Sequence, residues 1–506
     1  MMSAHLAIAP ILLPFVVGIL LLVLPDLSMP SRRRIGLVAV LGQVVVALML
    51  LGVVADGNIL VYRLGDWPAP FGIVLVADRL AAWMVLITVL LALFALIHAS
   101  DGTDGKGRHF HVLFQLQIFG LCGAFLSGDL FNIFVFFEIL LIASYSLLLH
   151  GGGAARTRAG LHYVVMNLLG STAFLFAAGL VYSSFGSLNL ADLAVKAATL
   201  EPDNIVSAKV GGLLLLVVFG LKAGLLPLHL WLPAAYSETS APVAALFSIM
   251  TKMGVYAILR VNMLVFNSDA GELSHLYDPW LLPIALGTVV IGMCGTLAAK
   301  NLGRLAAYMI VISVGTLLIA FTLGTPGVAA GLYYLPHSTF AAAALFLMAE
   351  VLRRRRHINK DSFVPDVDLP HPLLWGGLFF VAVIAVTGLP PLSGFLGKLL
   401  ILDASAGRPL IWLVILASAF ASIVALALAG SQMFFAGSIR EDLAFSGDMA
   451  REPQATTCEL LAIFGLFSVI VSLTIAAGPI FEFTQAMAGQ LASPSAYIQA
   501  VLGGGL

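Results

Sequence analysis

The chain has 506 residues, of which 60% are hydrophobic and only 10% charged, and its mean hydropathy is +1.05. Soluble domains carry about a quarter of charged residues, so this composition indicates a polytopic membrane protein. Its apolar runs are continuous instead of alternating, which indicates helices and excludes a transmembrane barrel. A formal net charge of −1 gives no support for nucleic acid binding, because in a membrane protein the position of the charges matters more than their sum.

Fourteen apolar segments are long enough to cross a bilayer, which predicts an all-α membrane protein with about fourteen transmembrane helices. The first run has no basic start and no small-residue cleavage pattern after it, so we expect it to be retained. We expect an N-terminal three-span segment with an extracytoplasmic hairpin (1–100), two five-helix repeats (110–262 and 280–436), and a C-terminal span and tail (456–506). The predicted spans are 6–25, 35–55, 79–99, 110–127, 129–149, 160–184, 209–226, 241–262, 280–298, 303–323, 326–351, 372–400, 410–436 and 456–483.

Basic residues are distributed unevenly between the two sets of connections. If the odd-numbered connections face the cytoplasm, they hold sixteen of the 25 Lys and Arg residues, while the opposite set holds six and the spans hold three. The positive-inside rule then predicts that both termini are extracytoplasmic. We interpret the run RRRRHINKD, Arg353 to Asp361, as a topology determinant that could also contact anionic lipid or a neighbouring subunit.

Two extracytoplasmic connections have a recognisable pattern. Between the second and third spans, VYRLGDWPAPFGIVLVADRL mixes β-branched residues with prolines, which favours a short hairpin over a plain loop. The segment Leu188 to Lys209 is amphipathic and predicts a helix at the outer surface. The three cysteines show no CxxC spacing, and no metal or cofactor motif is present, so we expect neither a disulfide framework nor a cofactor.

Charged residues within the spans are the strongest functional signal, because a charge at a helix centre costs about 2.5 to 3.5 kcal/mol on insertion scales. Glu138 lies in the middle of DLFNIFVFFEILLIASYSLLL and is too short to reach either interface. It either stays protonated or pairs with a cation. Asp129 begins the same span and is better interpreted as its N-cap than as a carrier site.

Lys222 and Lys252 flank a predicted break in GLKAGLLPLHLWLPAAYSETSAPVAALFSIMTKMGVYAILR. Pro227 lacks an N–H group, so the helix must kink or end about one turn after Lys222. Such breaks expose carbonyls that only protein or water can satisfy at membrane depth. His229 would share the face of Lys222 if the helix resumed, and it could act as a relay or as a cap of the broken segment.

A second break is predicted in TGLPPLSGFLGKLLILD, where Pro390 and Pro391 interrupt a span and Lys398 follows them. The two interrupted spans are five apart in order, and the lysine lies on opposite sides of the proline in each. We interpret this as a sign of an inverted repeat. His337 lies within the eleventh span and suits proton exchange near neutral pH, although a lone buried histidine is often only hydrogen-bonded to a neighbour. We expect Glu350 to pair with Arg353 at the interface.

These motifs, together with AAKNLGRLAAYMIVISVG, resemble the antiporter-like subunits of respiratory complex I and of Mrp-type cation/proton antiporters over about residues 70 to 430. The length of the chain is similar to that of the D-type subunits of the Mrp or Pha branch. The resemblance implies two inverted repeats and a hydrophilic axis in which Glu138 pairs with Lys222, while Lys252 and Lys398 continue the path. It also implies other antiporter subunits as partners and Na+ or K+ and protons as the transported ions.

One position departs from the family pattern. Several relatives carry a further lysine after the histidine of the eleventh span, but here Ala341 and Ala342 occupy that stretch, so the link must use His337, hydroxyls or water. Three other functions are weighed against the antiporter subunit: a proton-pumping subunit of a complex I-like dehydrogenase or membrane hydrogenase, a quinone-binding redox enzyme, and a degenerate scaffold. Neighbouring genes would separate the antiporter subunit from the redox-driven subunit. Genes for small hydrophobic antiporter subunits would favour the antiporter, and genes for iron–sulfur subunits would favour the redox complex.

Overall fold

The structure is a computed structural model that describes residues 5–67, 70–356, 360–364, 371–435 and 456–503. In these ranges the chain is almost entirely helical, with one small antiparallel hairpin. The first half contains α1 (Ala9–Val23), α2 (Met29–Val54), β1 (Leu60–Arg63), β2 (Val74–Ala77), α3 (Arg79–Ala99), α4 (Phe110–Leu126), α5 (Leu130–Leu149), α6 (Ala154–Phe185), α7 (Leu190–Ala197), α8 (Pro202–Ala223), α9 (Trp231–Glu238), α10 (Ala241–Phe247) and α11 (Met250–Leu264). The second half contains α12 (Asp278–Ala298), α13 (Leu302–Phe321), α14 (Gly324–Arg355), α15 (Pro372–Thr387), α16 (Ser393–Ala404), α17 (Pro409–Gly430), α18 (Thr457–Ile475), α19 (Ala477–Ala492) and α20 (Ser495–Leu502).

The helices confirm a polytopic membrane fold. In the described ranges eleven segments are long and apolar enough to cross a membrane, and α1, α4 and α15 are shorter apolar helices. Each of the fourteen predicted spans overlaps one of these segments, although the number of actual crossings stays a prediction. Helices α11, α13 and α14 are almost completely buried, while α1, α2 and α6 expose wide apolar faces. The core therefore lies around α11, α13 and α14.

The connections segregate onto two opposite faces of the molecule. On one face Arg33 donates to Asp104 at 2.7 Å, and Arg354 donates to Asp101 at 2.5 Å. On the other, Arg63 donates to the carbonyl of Val501 at 2.9 Å. The first face joins connections that the sequence assigns to the basic set, and the second joins the opposite set, so the predicted alternation is consistent with the fold.

Asp104 is a buried carboxylate on the first face that binds Arg33 and His111. Burial would raise the pKa of this carboxyl, but hydrogen bonds from His111 and Arg33 outweigh burial and lower the pKa to about 2. The group is therefore charged at any cellular pH. On the same face, Glu350 pairs with Arg354 at 3.3 Å and with Arg353 at 4.0 Å, which confirms the predicted ion pair.

The two described ends of the chain lie on the second face. The ring of His5 lies 5.7 Å from the ring of Tyr62 in β1, and Arg63 of the same strand bonds the last helix, α20. The β1 and β2 strands pair from Leu60 opposite Ala77 to Arg63 opposite Val74, which confirms the predicted hairpin. Which of the two faces is cytoplasmic stays a prediction.

Both predicted helix breaks are present and share one local geometry. Helix α8 ends at Gly224, whose φ of 76° is left-handed, and α15 ends at Gly388, whose φ is 75°. In each, the next residue donates to the carbonyl five positions back, Leu225 to Gly220 and Leu389 to Ile384. This is the Schellman arrangement, in which glycine is favoured because it adopts a positive φ without strain. Pro227 and Pro391 follow three residues after these glycines and prevent continuation.

One expectation for the helices is wrong. The amphipathic segment does not form one surface helix: α7 covers only Leu190–Ala197, and Pro202 already begins the membrane-length α8, since proline favours the first turn of a helix. The predicted eighth span, 241–262, is confirmed as the apolar segment Ala241–Leu264, although a two-residue turn divides it, because α10 ends at Phe247 and α11 begins at Met250. The interpretation of the lysine order also needs correction, because a two-fold axis preserves chain order within each repeat. The opposite placement of the two lysines is therefore no sign of a repeat, whereas the two breaks share one local geometry.

Candidate functional site

Glu138 and Lys222 are joined through a serine. Ser171 of α6 donates its hydroxyl to Oε1 of Glu138, and Nζ of Lys222 lies 3.5 Å from the same hydroxyl oxygen. Lys222 Nζ also lies 3.4 Å from the backbone carbonyl and from the side-chain oxygen of Asn167. A hydroxyl can accept from one side while it donates to the other. The ammonium therefore reaches the carboxylate through one hydroxyl group.

Glu138 and Lys222 do not form a direct ion pair, since their charged atoms are more than 4.0 Å apart, so the pairing that the resemblance implies runs through Ser171 in this structure. The reason is the position of each side chain. Glu138 is only half-buried and projects from the side of α5 that also exposes Val135 and Ile142. Lys222 is 5% exposed and lies 5.8 Å from the centre of the Phe137 ring. Ser171 occupies the space between the outer carboxylate and the inner ammonium.

Lys252 is the most deeply buried cation of the site. Its exposure is 0%, and its Nζ donates to the hydroxyl of Ser313 on α13 at 3.0 Å. The helix that carries it packs tightly on α8, because a Cβ added at Gly254 would lie 2.5 Å from the backbone nitrogen of Ala223. A glycine at this contact therefore brings the backbones of the Lys222 and Lys252 helices together.

A small cavity continues the site beyond Lys252. Its volume is about 10 Å³, close to the space of one water molecule. Four residues with polar side-chain groups line it: Ser313, Tyr334, His337 and Ser338. Ala341 and Ala342 also line it, and their small side chains leave this space open. This cavity lies between the hydroxyl that binds Lys252 and the imidazole of His337.

His337 is buried and has partners on both ring nitrogens. Nε2 lies 2.9 Å from the carbonyl of Ala385 and must donate to it, because a carbonyl only accepts. Nδ1 lies 2.8 Å from the hydroxyl of Ser393, which also lies 3.3 Å from the carbonyl of Ile470. When the ring is neutral, Ser393 donates to Nδ1. When the ring is protonated, Nδ1 donates to Ser393 and the hydroxyl turns to Ile470, so both protonation states are fully hydrogen-bonded.

Lys398 bonds the break that precedes it. Its Nζ donates to the carbonyl of Thr387 at 2.6 Å, one of the last carbonyls of α15. His337 bonds Ala385 in the same turn, and at the first break Trp231 donates its indole N–H to the equivalent carbonyl of Leu221 at 3.1 Å. Protein side chains thus donate to Leu221 at the first break and to Ala385 and Thr387 at the second, which satisfies carbonyls that a break leaves free at membrane depth.

The two secondary candidates have different outcomes. Asp129 is the N-cap of α5, since its Oδ1 accepts from the backbone N–H of Asn132 at 2.9 Å, which confirms the cap. His229 lies in a short turn between α8 and α9 and is buried. Its Nδ1 has no hydrogen-bond partner among the described residues, so the ring does not cap the break through that atom. A relay role for His229 stays a prediction.

Sequence reasoning missed the neutral groups of the site. Asn167, Ser171, Ser313 and Ser393 connect the titratable residues, and none was singled out. A weak signal existed for the first two, which are four residues apart on one face of α6. Serines are common in membrane helices, where they usually bond their own backbone, so the sequence alone gives little reason to select them.

Comparisons with known proteins identify the family to which the chain is similar. Residues 127–424 match the family model described as NADH:quinone oxidoreductase/Mrp antiporter, transmembrane. The chain is 38% identical to the D-type subunit of a probable K+/H+ antiporter of Rhizobium meliloti, over 98% of this chain and 97% of that protein. It is 36% identical to the D-type subunit of a Na+/H+ antiporter of Alkalihalophilus pseudofirmus, over 98% and 99%. A chain of the Mrp complex from a Dietzia species superposes with a TM-score of 0.88 at 25% identity, over 99% of this chain and 100% of that one.

Proposed function

This chain belongs to the family of NADH:quinone oxidoreductase and Mrp antiporter membrane subunits, and we propose that it is a subunit of a multisubunit antiporter that exchanges cytoplasmic Na+ or K+ for external protons. The observation that carries this proposal is the set of three buried lysines, 222, 252 and 398, each held by neutral oxygen atoms in an apolar protein. Burying three cations is costly for a scaffold and is expected of an ion path. The chain thus acts as part of a secondary transporter and not as a catalyst of a chemical reaction.

The first transfer in the proposed path runs between Glu138 and Lys222. A charged Glu138 stabilises the ammonium of Lys222 through the hydroxyl of Ser171, so the pair favours the doubly charged state. When the carboxylate is neutralised, that stabilisation is lost and Lys222 more readily releases its proton toward Lys252. The hydroxyl lets the proton pass without a change in the backbone.

The second half of the path runs from Lys252 to Lys398. Ser313 connects Lys252 to the water-sized cavity, and His337 lines the opposite side of that cavity. One water there would bond both groups and replace the lysine that relatives carry. From His337 the path passes Ser393 at the second break, where Lys398 lies on the carbonyl of Thr387.

We further propose the assignment of sides and parts. The face with the Arg353 to Lys360 run would be cytoplasmic, with both termini outside, in a bacterial plasma membrane. Residues 110–262 and 280–436 would be the two inverted repeats, with the matching breaks after Ala223 and Thr387 in their fourth spans. Other antiporter subunits would be the partners of this chain, and protons and Na+ or K+ its ions.

Transport by the whole complex in liposomes, under separate Na+ and K+ gradients, tests the proposal. Lys252→Ala and Lys398→Ala should abolish exchange while the complex still assembles, because removing a buried cation relieves an insertion cost. Lys196→Ala is the matched control, since that side chain is 38% exposed and pairs with Asp192 outside the path. Exchange at the wild-type rate in both buried variants would remove these lysines from the path. Exchange by the isolated chain would contradict its role as one subunit of an assembly.

A proton-pumping subunit of a redox-driven complex is the second candidate, because the family model covers NADH:quinone oxidoreductases as well. It would use the same lysines but take its energy from electron transfer. This candidate would be favoured over the antiporter if the purified complex moved protons only with an electron donor, and if the rate did not depend on Na+ or K+ gradients.

A further inference from the structure

A large cavity lies apart from the ion path, at the end of the molecule that carries the basic connections. Its volume is about 630 Å³, and it opens between the first turns of α6, the end of α9 and the first turn of α13. Arg158 and His162 line it from α6, Arg304 from α13 and Glu238 from α9. Arg156 of α6 donates to the backbone carbonyl of Glu238 at 2.8 Å and so fixes the end of α9 beside α6 at this cavity.

The charges of this cavity are unbalanced. Arg158 and Arg304 are exposed and form no hydrogen bond through their side chains and no ion pair with any residue that the structure describes. The two arginines and the one glutamate that line it leave one net positive charge among these three side chains. A ligand with a single negative charge would neutralise it, and Arg binds phosphate oxygens in a planar, two-point geometry.

An exposed apolar surface continues directly from the cavity. Leu161, Val165, Leu168 and Leu169 of α6 are 46% to 67% exposed, and they follow Arg158 and His162 at helical spacing. These residues lie on one side of the helix because positions three and four apart share a face. A cationic pocket at a helix end, above an apolar helix face, matches a molecule with an anionic head and acyl chains.

We propose that this cavity binds one anionic phospholipid of the phosphatidylglycerol type. Arg158 and Arg304 hold the phosphodiester, and the carboxylate of Glu238 accepts hydrogen bonds from the glycerol hydroxyls of the head group. The acyl chains lie along Leu161, Val165 and Leu168. Basic pockets between transmembrane helices are typical sites for such head groups.

Native mass spectrometry of the delipidated complex, titrated with phosphatidylglycerol or phosphatidylcholine, tests the site. We expect the Arg158→Gln/Arg304→Gln variant to bind phosphatidylglycerol roughly thirtyfold more weakly, the effect of removing two basic groups. The matched control is Arg34→Gln/Arg108→Gln, which removes two exposed arginines of the same face away from the cavity. The control should bind like the wild type, and neither variant should change the binding of phosphatidylcholine.

Three outcomes would overturn the proposal. Equal loss of phosphatidylglycerol in both double variants would mean that only the general surface charge matters. Competition by glycerol phosphate in place of the lipid would assign the pocket to a soluble phosphate. An efficient cross-link from His162→Cys to another subunit of the intact complex would show that protein, and not lipid, covers this surface.

Discussion

At the scale of single residues, neutral hydroxyl groups form the hydrogen bonds that connect the titratable residues. Ser171 lies between Glu138 and Lys222, Ser313 holds Lys252, and Ser393 holds His337. A hydroxyl has one proton to donate and can accept at the same time, so it can reverse its direction when a neighbour changes charge. Direct ion pairs would hold each charge more tightly and would oppose its release. Hydrogen bonds through these serines therefore favour proton transfer between the titratable groups over retention of a fixed charge.

Replacing Ser171 is the most selective test of this idea. Ser171→Ala removes the hydroxyl that bonds both Glu138 and Lys222, and we expect exchange by the reconstituted complex to fall at least about tenfold, equal to a loss of about 1.4 kcal/mol. Ser171→Thr keeps the hydroxyl at the same position and should retain most of the activity. Equal activity of the alanine and threonine variants would show that the hydroxyl does not carry the transfer.

At the scale of helices, the two breaks explain why the lysines lie on opposite sides of their prolines. Lys222 lies in the last turn of α8, so its charge is at the C-terminal end of that half-helix. Lys398 begins in the second half-helix, but its side chain reaches back to the carbonyl of Thr387 at the C-terminal end of α15. The partial negative charge of a helix C-terminus favours a cation at both places. Different sequence positions thus converge on the same electrostatic environment.

The approach of α16 to α14 at the second break depends on Gly394. A Cβ at this position would lie 2.2 Å from Nε2 of His337, so Gly394→Ala must displace the imidazole from Ala385. We expect this variant to assemble but to lose most of its exchange, because the connection between the cavity and Lys398 is broken. Gly377→Ala in α15 is the control, since nothing lies within 4 Å of its added Cβ. Unchanged transport in Gly394→Ala would exclude His337 from the path.

The pair of Asp78 and Arg260 joins α3 to α11 and is structural. It has two hydrogen bonds, at 2.5 and 2.8 Å, and Arg260 is also 5.4 Å from the rings of Tyr256 and Tyr497. Arg260→Met should destabilise the complex by about 3 to 5 kcal/mol, because it leaves a buried carboxylate without a partner. Adding Asp78→Asn should recover part of this loss, which a double-mutant cycle of thermal unfolding measures.

The exposed pair of Lys209 and Glu272 is the control for that cycle. Their side chains are 39% and 67% exposed, and removing such a pair changes stability by about 0 to 1 kcal/mol. If Arg260→Met and Lys209→Met were equally mild, the buried pair would not hold α3 and α11 together. If the Asp78→Asn and Arg260→Met losses simply added, the two groups would not be coupled.

For the whole molecule, the sequence predicts best those features whose residues cost free energy in a membrane helix, and it predicts poorly those features whose residues cost little. Proline breaks and buried lysines stand out because each costs free energy in a membrane helix, and the structure buries Lys222, Lys252 and Lys398 as their positions in the spans predict. The break between α10 and α11 escaped prediction because only Ser248 and Ile249 separate the helices, and neither is a helix breaker. The distance between Glu138 and Lys222 depends on how α5, α6 and α8 pack, which no local pattern encodes.

Topology is the prediction that belongs to the whole molecule, because every assignment of an entrance or exit to the path depends on it. The structure separates two faces, one with Val364 near the arginine run and one with Ser495 at the start of α20, and both of these residues are exposed. In a background without the three native cysteines, a membrane-impermeant maleimide applied to intact cells should label Ser495→Cys and not Val364→Cys. Both should react once the membrane is permeabilised. The reverse labelling would mean that the opposite face is cytoplasmic, so that Glu138 and Lys222 take up ions from the other side of the membrane. Equal labelling of both positions from outside would contradict the separation of the basic connections onto one face, on which the positive-inside argument depends.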